Sequence, residues 1–132
     1  MALYLDSSAL VKLVLEERES DDLRLFVEDR EIASIEIART ELIRAVGRRA
    51  PGRTGDAEDL LADVVLMRVD TPTTSSAAWV QPWEVRALDA LHHAGAGQLG
   101  ADLEALVTYD KRMIDAGRAA DLLVAAPGDE VA

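Results

Sequence analysis

A chain of 132 residues is the size of one domain, long enough to bury roughly 65–70 % of its unfolded surface. Hydrophobic residues make up 49 % of it and aromatics only 4 %, so the core must come from Leu, Val, Ile and Ala; the absence of cysteine excludes disulfides and thiolate metal sites and fits a reducing compartment. The 25 acidic against 14 basic residues give a formal charge of −11, which suits solubility and excludes nucleic-acid binding by bulk charge alone, unless a divalent cation, a local basic stripe or a basic partner offsets it.

In chain order, Ala2 to Leu5 is a short apolar run of the kind found in a central parallel strand. It delivers Asp6, after which Ser7 and Ser8 offer caps to a helix over Ala9 to Glu17. A second helix is expected over Ser20 to Asp29, a strand over Glu31 to Ile35 and a helix over Glu36 to Arg49. Ala50 to Gly55 is dense in breakers and reads as a loop. A helix over Asp56 to Leu66 and a strand over Met67 to Val69 follow. Thr71-Pro72 reads as a break, and Thr73 to Trp79 as a short helix. The helix over Arg86 to Leu99 contains Gly95 and Gly97, each costing about 1 kcal/mol relative to Ala. A strand over Leu103 to Thr108, a helix over Lys111 to Ala119 and a strand over Leu122 to Ala125 complete the domain, residues 1–126, before a loose tail over 127–132. Strands alternating with helices predict a three-layer α/β/α sandwich around a parallel sheet of four to five strands. No apolar run is long enough to span a membrane and no basic segment precedes an apolar one, so a cytoplasmic protein is expected.

Four carboxylates break the binary pattern. Asp6 and Asp110 each follow a predicted strand, where open α/β sheets place their ligand crevice. Glu41 lies on the apolar stripe of Ile37, Ala38 and Ala45, and Asp89 is wrapped by Ala87, Leu88, Ala90 and Leu91. Taken singly, each has a structural reading: Asp110 as a helix cap, Glu41 as a partner of Arg44. Gathered in one crevice they would repel unless a cation neutralised them, and an all-oxygen nest is what Mg²⁺ or Mn²⁺ accepts.

Asp6 in YLDSSALVKL, Glu41 in ARTELIRAV, Asp89 in ALDALHHAGA and Asp110 in LVTYDKRM resemble the four acidic motifs of PIN-domain ribonucleases, particularly VapC-type toxins. The resemblance covers nearly the whole chain. It implies a PIN-like α/β/α sandwich and a Mg²⁺- or Mn²⁺-dependent endoribonuclease acting on RNA, commonly a homodimer, held inactive by a cognate VapB-like antitoxin. Ser7 and Thr108 match hydroxyl positions that accompany the acids in such proteins and would orient water or a carboxylate. The glycines of HHAGAGQLG depart from the family's Ala- and Leu-rich helix and put the straightness of that helix in question.

Other residues invite roles. His92 falls three residues after Asp89, on its helical face, where a surface or packing role is the expectation. Arg44, Arg48, Arg49 and Arg53 form either a solvated face balanced by Asp56, Glu58, Asp59 and Asp63 or a rail for the RNA backbone. Trp79 and Trp83 are expected to be buried under a loop rather than to stack a base or anchor a partner. Two other functions compete with the nuclease: a PIN fold retained for binding without catalysis, and a receiver-type signalling domain. The receiver needs a lysine after its last strand, and Ala125-Ala126-Pro127-Gly128 has none.

Overall fold

Ala2–Leu5, buried along its whole length, is strand β1 and lies at the centre of the sheet. In the computed structural model, residues 1–129 are described. Within them β1 is joined by β2 (Glu31–Ile35), β3 (Val64–Met67), β4 (Leu103–Val107) and β5 (Val124–Ala125), all parallel, in the order β3-β2-β1-β4-β5. The chain builds outward from β1 through β2 to β3, then returns to the other side of β1 for β4. The sheet's topological switch point therefore falls between β1 and β4, whose carboxyl ends carry Asp6 and Asp110.

Side chains alternate across β1 and define two cores. On one face Leu3, Leu5 and Val107 pack against α1 (Ser7–Val14), α2 (Ser20–Val27), α3 (Ile37–Arg49) and α4 (Thr54–Ala62) through Leu10, Leu23, Leu42 and Leu61. On the other, Tyr4, Ile35 and Leu106 meet α5 (Thr71–Ala77), α6 (Ala87–Gln98) and α7 (Lys111–Ala119) through Ala77, Ala94 and Met113. This is the expected three-layer sandwich, with five strands.

Several local expectations are corrected. Val64 to Leu66, assigned from sequence to the end of a helix, is strand: Ile32 to Ile35 of β2 has a free edge whose amides and carbonyls need partners, and Val64 to Met67 supplies them residue for residue. The expected strand over Met67 to Val69 accordingly begins at Val64 and ends at Met67. The breaker-rich loop is shorter than expected, because Pro51–Arg53 forms a 3₁₀ turn and α4 starts at Thr54. Thr71-Pro72 starts a helix instead of breaking one: Asp70 accepts the Thr73 amide at 3.1 Å, and a proline in the first turn has no amide to leave unpaired.

Helix α6 runs unbroken through both glycines. A Cβ on Gly95 would lie 2.5 Å from Ile35 Cγ2 and 2.9 Å from the Tyr4 hydroxyl, so this glycine lets the helix sit directly on β1 and β2. Trp79 and Trp83 are not buried: Ala77 and Val85 fill the adjoining core, and the indoles stand 74 % and 63 % exposed, 6.1 Å apart. Of the tail expected over 127–132, Pro127 accepts the Tyr109 hydroxyl at 2.7 Å, while residues 130–132 lie outside the described residues.

Candidate active site at the carboxyl edge of the sheet

Asp6 is the N-cap of α1, a place the sequence assigned to Ser7 and Ser8. Its Oδ1 accepts the Ala9 amide at 3.2 Å and the Ser8 hydroxyl at 2.6 Å, and its Oδ2 accepts the Thr108 hydroxyl at 2.5 Å. Thr108 sits just past the end of β4, and its oxygen in turn accepts the Asp110 amide at 3.2 Å. One threonine thus ties the ends of the two central strands together. Asp6 is only 3 % exposed, and burial pushes its carboxyl above the usual range against the opposing pull of His92 and its hydrogen-bond donors.

Asp110 caps α7, accepting the Arg112 and Met113 amides at 2.9 and 3.2 Å, so the structural reading of this residue holds. It has a second contact. The Arg86 guanidinium lies 3.3 Å from Asp89 Oδ2 through Nε and 3.9 Å from Asp110 Oδ2 through a terminal nitrogen. Arg86 precedes α6 and is 73 % exposed, so it bridges the two acids from the solvent side. The sequence offered one signal for it: Arg86 stands three residues before Asp89.

Glu41 pairs with neither Arg44 nor any other arginine among the described residues. The Ser7 hydroxyl and His92 Nε2 both bond its Oε1, each at 2.6 Å. Against the burial that would raise it, the hydrogen bond and charge of His92, with the Ser7 hydroxyl, hold the Glu41 carboxyl below the usual range. His92, expected on a surface or in packing, is 1 % exposed and has polar partners on both ring nitrogens; its Nδ1 is 2.8 Å from the Tyr4 hydroxyl. Pattern reasoning undervalued this contact of His92 with Glu41. The alternation that turns Tyr4 toward α6, read together with the helical step from Asp89, could have found it.

The structure therefore joins Asp6 to Asp110 through Thr108, and Glu41 to Ser7 and His92, while Asp89 reaches Asp110 only through Arg86. Among the described residues no three carboxylate or imidazole groups converge tightly enough to hold an ion as they stand. The donor chemistry nevertheless suits a hard divalent cation, since the groups are carboxylates and hydroxyls, and a guanidinium supplies positive charge between two of them. Of the arginine stripe, Arg49 pairs with Glu17 at 2.7 Å and Arg53 with Asp56. Arg44 and Arg48 are exposed and form no ion pair among the described residues.

A family model described as the PIN domain matches residues 3–119. The chain belongs to the PIN-domain family. Within it the chain resembles VapC proteins over nearly its full length. It is 42 % identical to Ribonuclease VapC46 of Mycobacterium tuberculosis over 127 residues, covering 96 % of this chain and 98 % of the relative. It is 35 % identical to Ribonuclease VapC47 of the same species over 132 residues, covering 96 % and 97 %. Among solved structures, the M. tuberculosis VapC20 toxin, described as cleaving the sarcin-ricin loop, shares the fold at a TM-score of 0.73 and 17 % identity, over 88 % of this chain and 95 % of that one. FitAcB from Neisseria gonorrhoeae superposes with a TM-score of 0.66 at 18 % identity, covering 96 % and 99 %. In this PIN domain, as described, no helix is long and apolar enough to cross a membrane.

Proposed function

We propose that this PIN domain is the toxin of a type II toxin-antitoxin pair: a cytoplasmic endoribonuclease that hydrolyses RNA phosphodiester bonds, dependent on Mg²⁺ or Mn²⁺, with Asp6, Glu41, Asp89 and Asp110 as its acidic residues. The observation that carries the reading is the seam between β1 and β4, where a buried carboxylate is locked by Thr108 beside a second acid at the switch point of the sheet. The ribonuclease names of full-length relatives support it. The activity is assigned to the single PIN-like domain over 1–126.

A divalent cation bound there would supply the acidity to activate a water and the charge to stabilise the phosphodiester oxygens. The chain's own part is orientation. Ser8, the Ala9 amide and Thr108 fix both oxygens of Asp6, and Ser7 and His92 fix Oε1 of Glu41. Asp110 is held by the first turn of α7. Arg86, exposed and bound only at its tip, can yield its place between Asp89 and Asp110 to a cation or turn to a phosphate oxygen. Arg44 and Arg48, on the helix that carries Glu41, give an acidic protein a local strip of positive charge for the RNA backbone. A cognate VapB-like antitoxin restrains the activity, and the toxin works as a homodimer.

The test is cleavage of RNA by the purified chain with Mg²⁺ or Mn²⁺, then with EDTA, alongside Asp6→Asn and Asp89→Asn. Cleavage is expected only with the cation and the native acids, and restored when the metal is returned. Undiminished cleavage after rigorous chelation overturns the metal requirement. A metal-loaded chain that binds RNA without cutting it is a binding module.

A further inference from the structure

Tyr4, His92 and Glu41 lie 88 and 51 residues apart in pairs along the chain, yet form one buried file from the middle of β1 to the acidic edge. Tyr4 is fully buried, and burial raises its phenol far above the usual range, so its hydroxyl keeps its proton and can donate. A carboxylate can only accept. Nε2 of His92 therefore carries the proton between it and Oε1 of Glu41 and donates to that oxygen, while the Tyr4 hydroxyl is the polar partner of Nδ1. The imidazole is held edge-on to the phenol ring, with centroids 5.8 Å apart and planes at 74°. Gly95, one turn along α6 from His92, leaves room for the Tyr4 hydroxyl at that depth, since any larger residue would meet it.

Both donors to Glu41 fall on the same oxygen. Ser7 and His92 each bond Oε1 at 2.6 Å, and among the described residues nothing hydrogen-bonds Oε2. A carboxylate pinned through one oxygen keeps the other, in a fixed direction, for a cation or a water.

We propose that His92 is a positioning residue: anchored by the Tyr4 hydroxyl in the space left by Gly95, it holds one oxygen of Glu41 and aims the other into the acidic site. This deepens the reading of Glu41 as an acid of the nuclease and rests on it. Partners of this kind set metal affinity and turnover by about tenfold or more without touching the metal.

The experiment compares His92→Phe, His92→Gln and Tyr4→Phe with the native chain, using Glu41→Gln as reference. The readouts are Mn²⁺ affinity by calorimetry and the kcat and KM of cleavage on one RNA. His92→Phe keeps the ring volume but loses the donor, and is expected to weaken Mn²⁺ and lower kcat about tenfold or more, with KM little changed. Glutamine can place an amide N–H near the position of Nε2–H, so His92→Gln is expected to recover most of both. Tyr4→Phe, which removes one oxygen, is expected to give a smaller loss of the same kind and carries the test if His92→Phe does not fold. In a Glu41→Gln background His92→Phe should add little. Native Mn²⁺ affinity and kcat in folded His92→Phe, equal losses in Phe and Gln variants, or an undiminished loss in the Glu41→Gln background would each overturn the positioning role. If Glu41→Gln itself keeps full Mn²⁺ affinity and cleavage, the reading of Glu41 falls first and this inference with it.

Discussion

Asp6 is a side chain costly to the fold, and the proposed function gives that cost a use. It is buried, and its carboxyl is pushed upward by that burial although three donors reach it. A group whose folded pKa is raised takes up its proton more readily in the native chain than in the unfolded one. Its ionised form therefore lowers stability near neutrality, and the penalty fades as pH falls through the folded value. Asn keeps the acceptor for Ser8 and Ala9, and its amide can donate to the Thr108 oxygen. Asp6→Asn without metal is expected to melt at the same temperature as the native protein or a few degrees higher at neutral pH, with the difference closing on acidification. Thermal melts in EDTA across that range measure it, and a variant that unfolds at neutral pH would make Asp6 a structural residue alone.

Helix α6 gives the corresponding contrast between two glycines. Gly97 is exposed with no atom within 4 Å of a Cβ placed there, so Gly97→Ala should gain up to about 1 kcal/mol of helix propensity. Gly95→Ala gains the same propensity but drives its methyl into Ile35 and Tyr4, and overpacking of this sort costs about 1–3 kcal/mol. The first substitution should raise Tm by a few degrees and the second lower it, with Gly95→Ala also reducing cleavage by displacing Tyr4. Chemical denaturation of both variants checks the pair.

The elements differ in how far the sequence could be followed. The strands of Ala2–Leu5 and Glu31–Ile35 and the helix of Lys111–Ala119 were legible to the residue because apolar runs and turn residues bound them closely. The start of β3 was not, because Val64 to Leu66 is as apolar as the helix before it and only the open edge of β2 decides its state. Asp6 and Asp110 were legible as strand-end carboxylates. The hydrogen bonds that organise them were not, since Thr108 meets Asp6 across 102 residues and His92 meets Glu41 across 51. Periodicity along one element does not report on such contacts.

For the molecule as a whole, a formal charge of −11, with Asp6 and Asp110 at the carboxyl ends of the two central strands, favours cations as ligands. On the proposed function Mg²⁺ binds the folded chain alone, because only there do acids far apart in sequence share one edge of the sheet, and it should stabilise the fold by preferential binding. Arg86 already shows that a guanidinium can span Asp89 and Asp110, and an antitoxin arginine entering the crevice would meet the same geometry with two acceptors at once. Inhibition by the antitoxin is expected to weaken as Mg²⁺ rises and when that arginine is changed to Ala. Residual activity against antitoxin concentration, at two metal concentrations, measures this. A curve that neither change moves means occlusion away from the crevice.

The strand order also sets a sequence of events in time. β1, β2 and β3 are neighbours formed from the first 67 residues, so three of the five strands can assemble while the rest of the chain is still being made. Asp6 and Glu41 are then already present, but Thr108, Asp110, His92 and Arg86 are not. The edge of β1 that will receive β4 stays open until Leu103–Val107 leaves the ribosome. On the proposed function such an ordering is protective, because a nascent chain that has made β1 to β3 still lacks the residues that hold Asp6 and Glu41 in place.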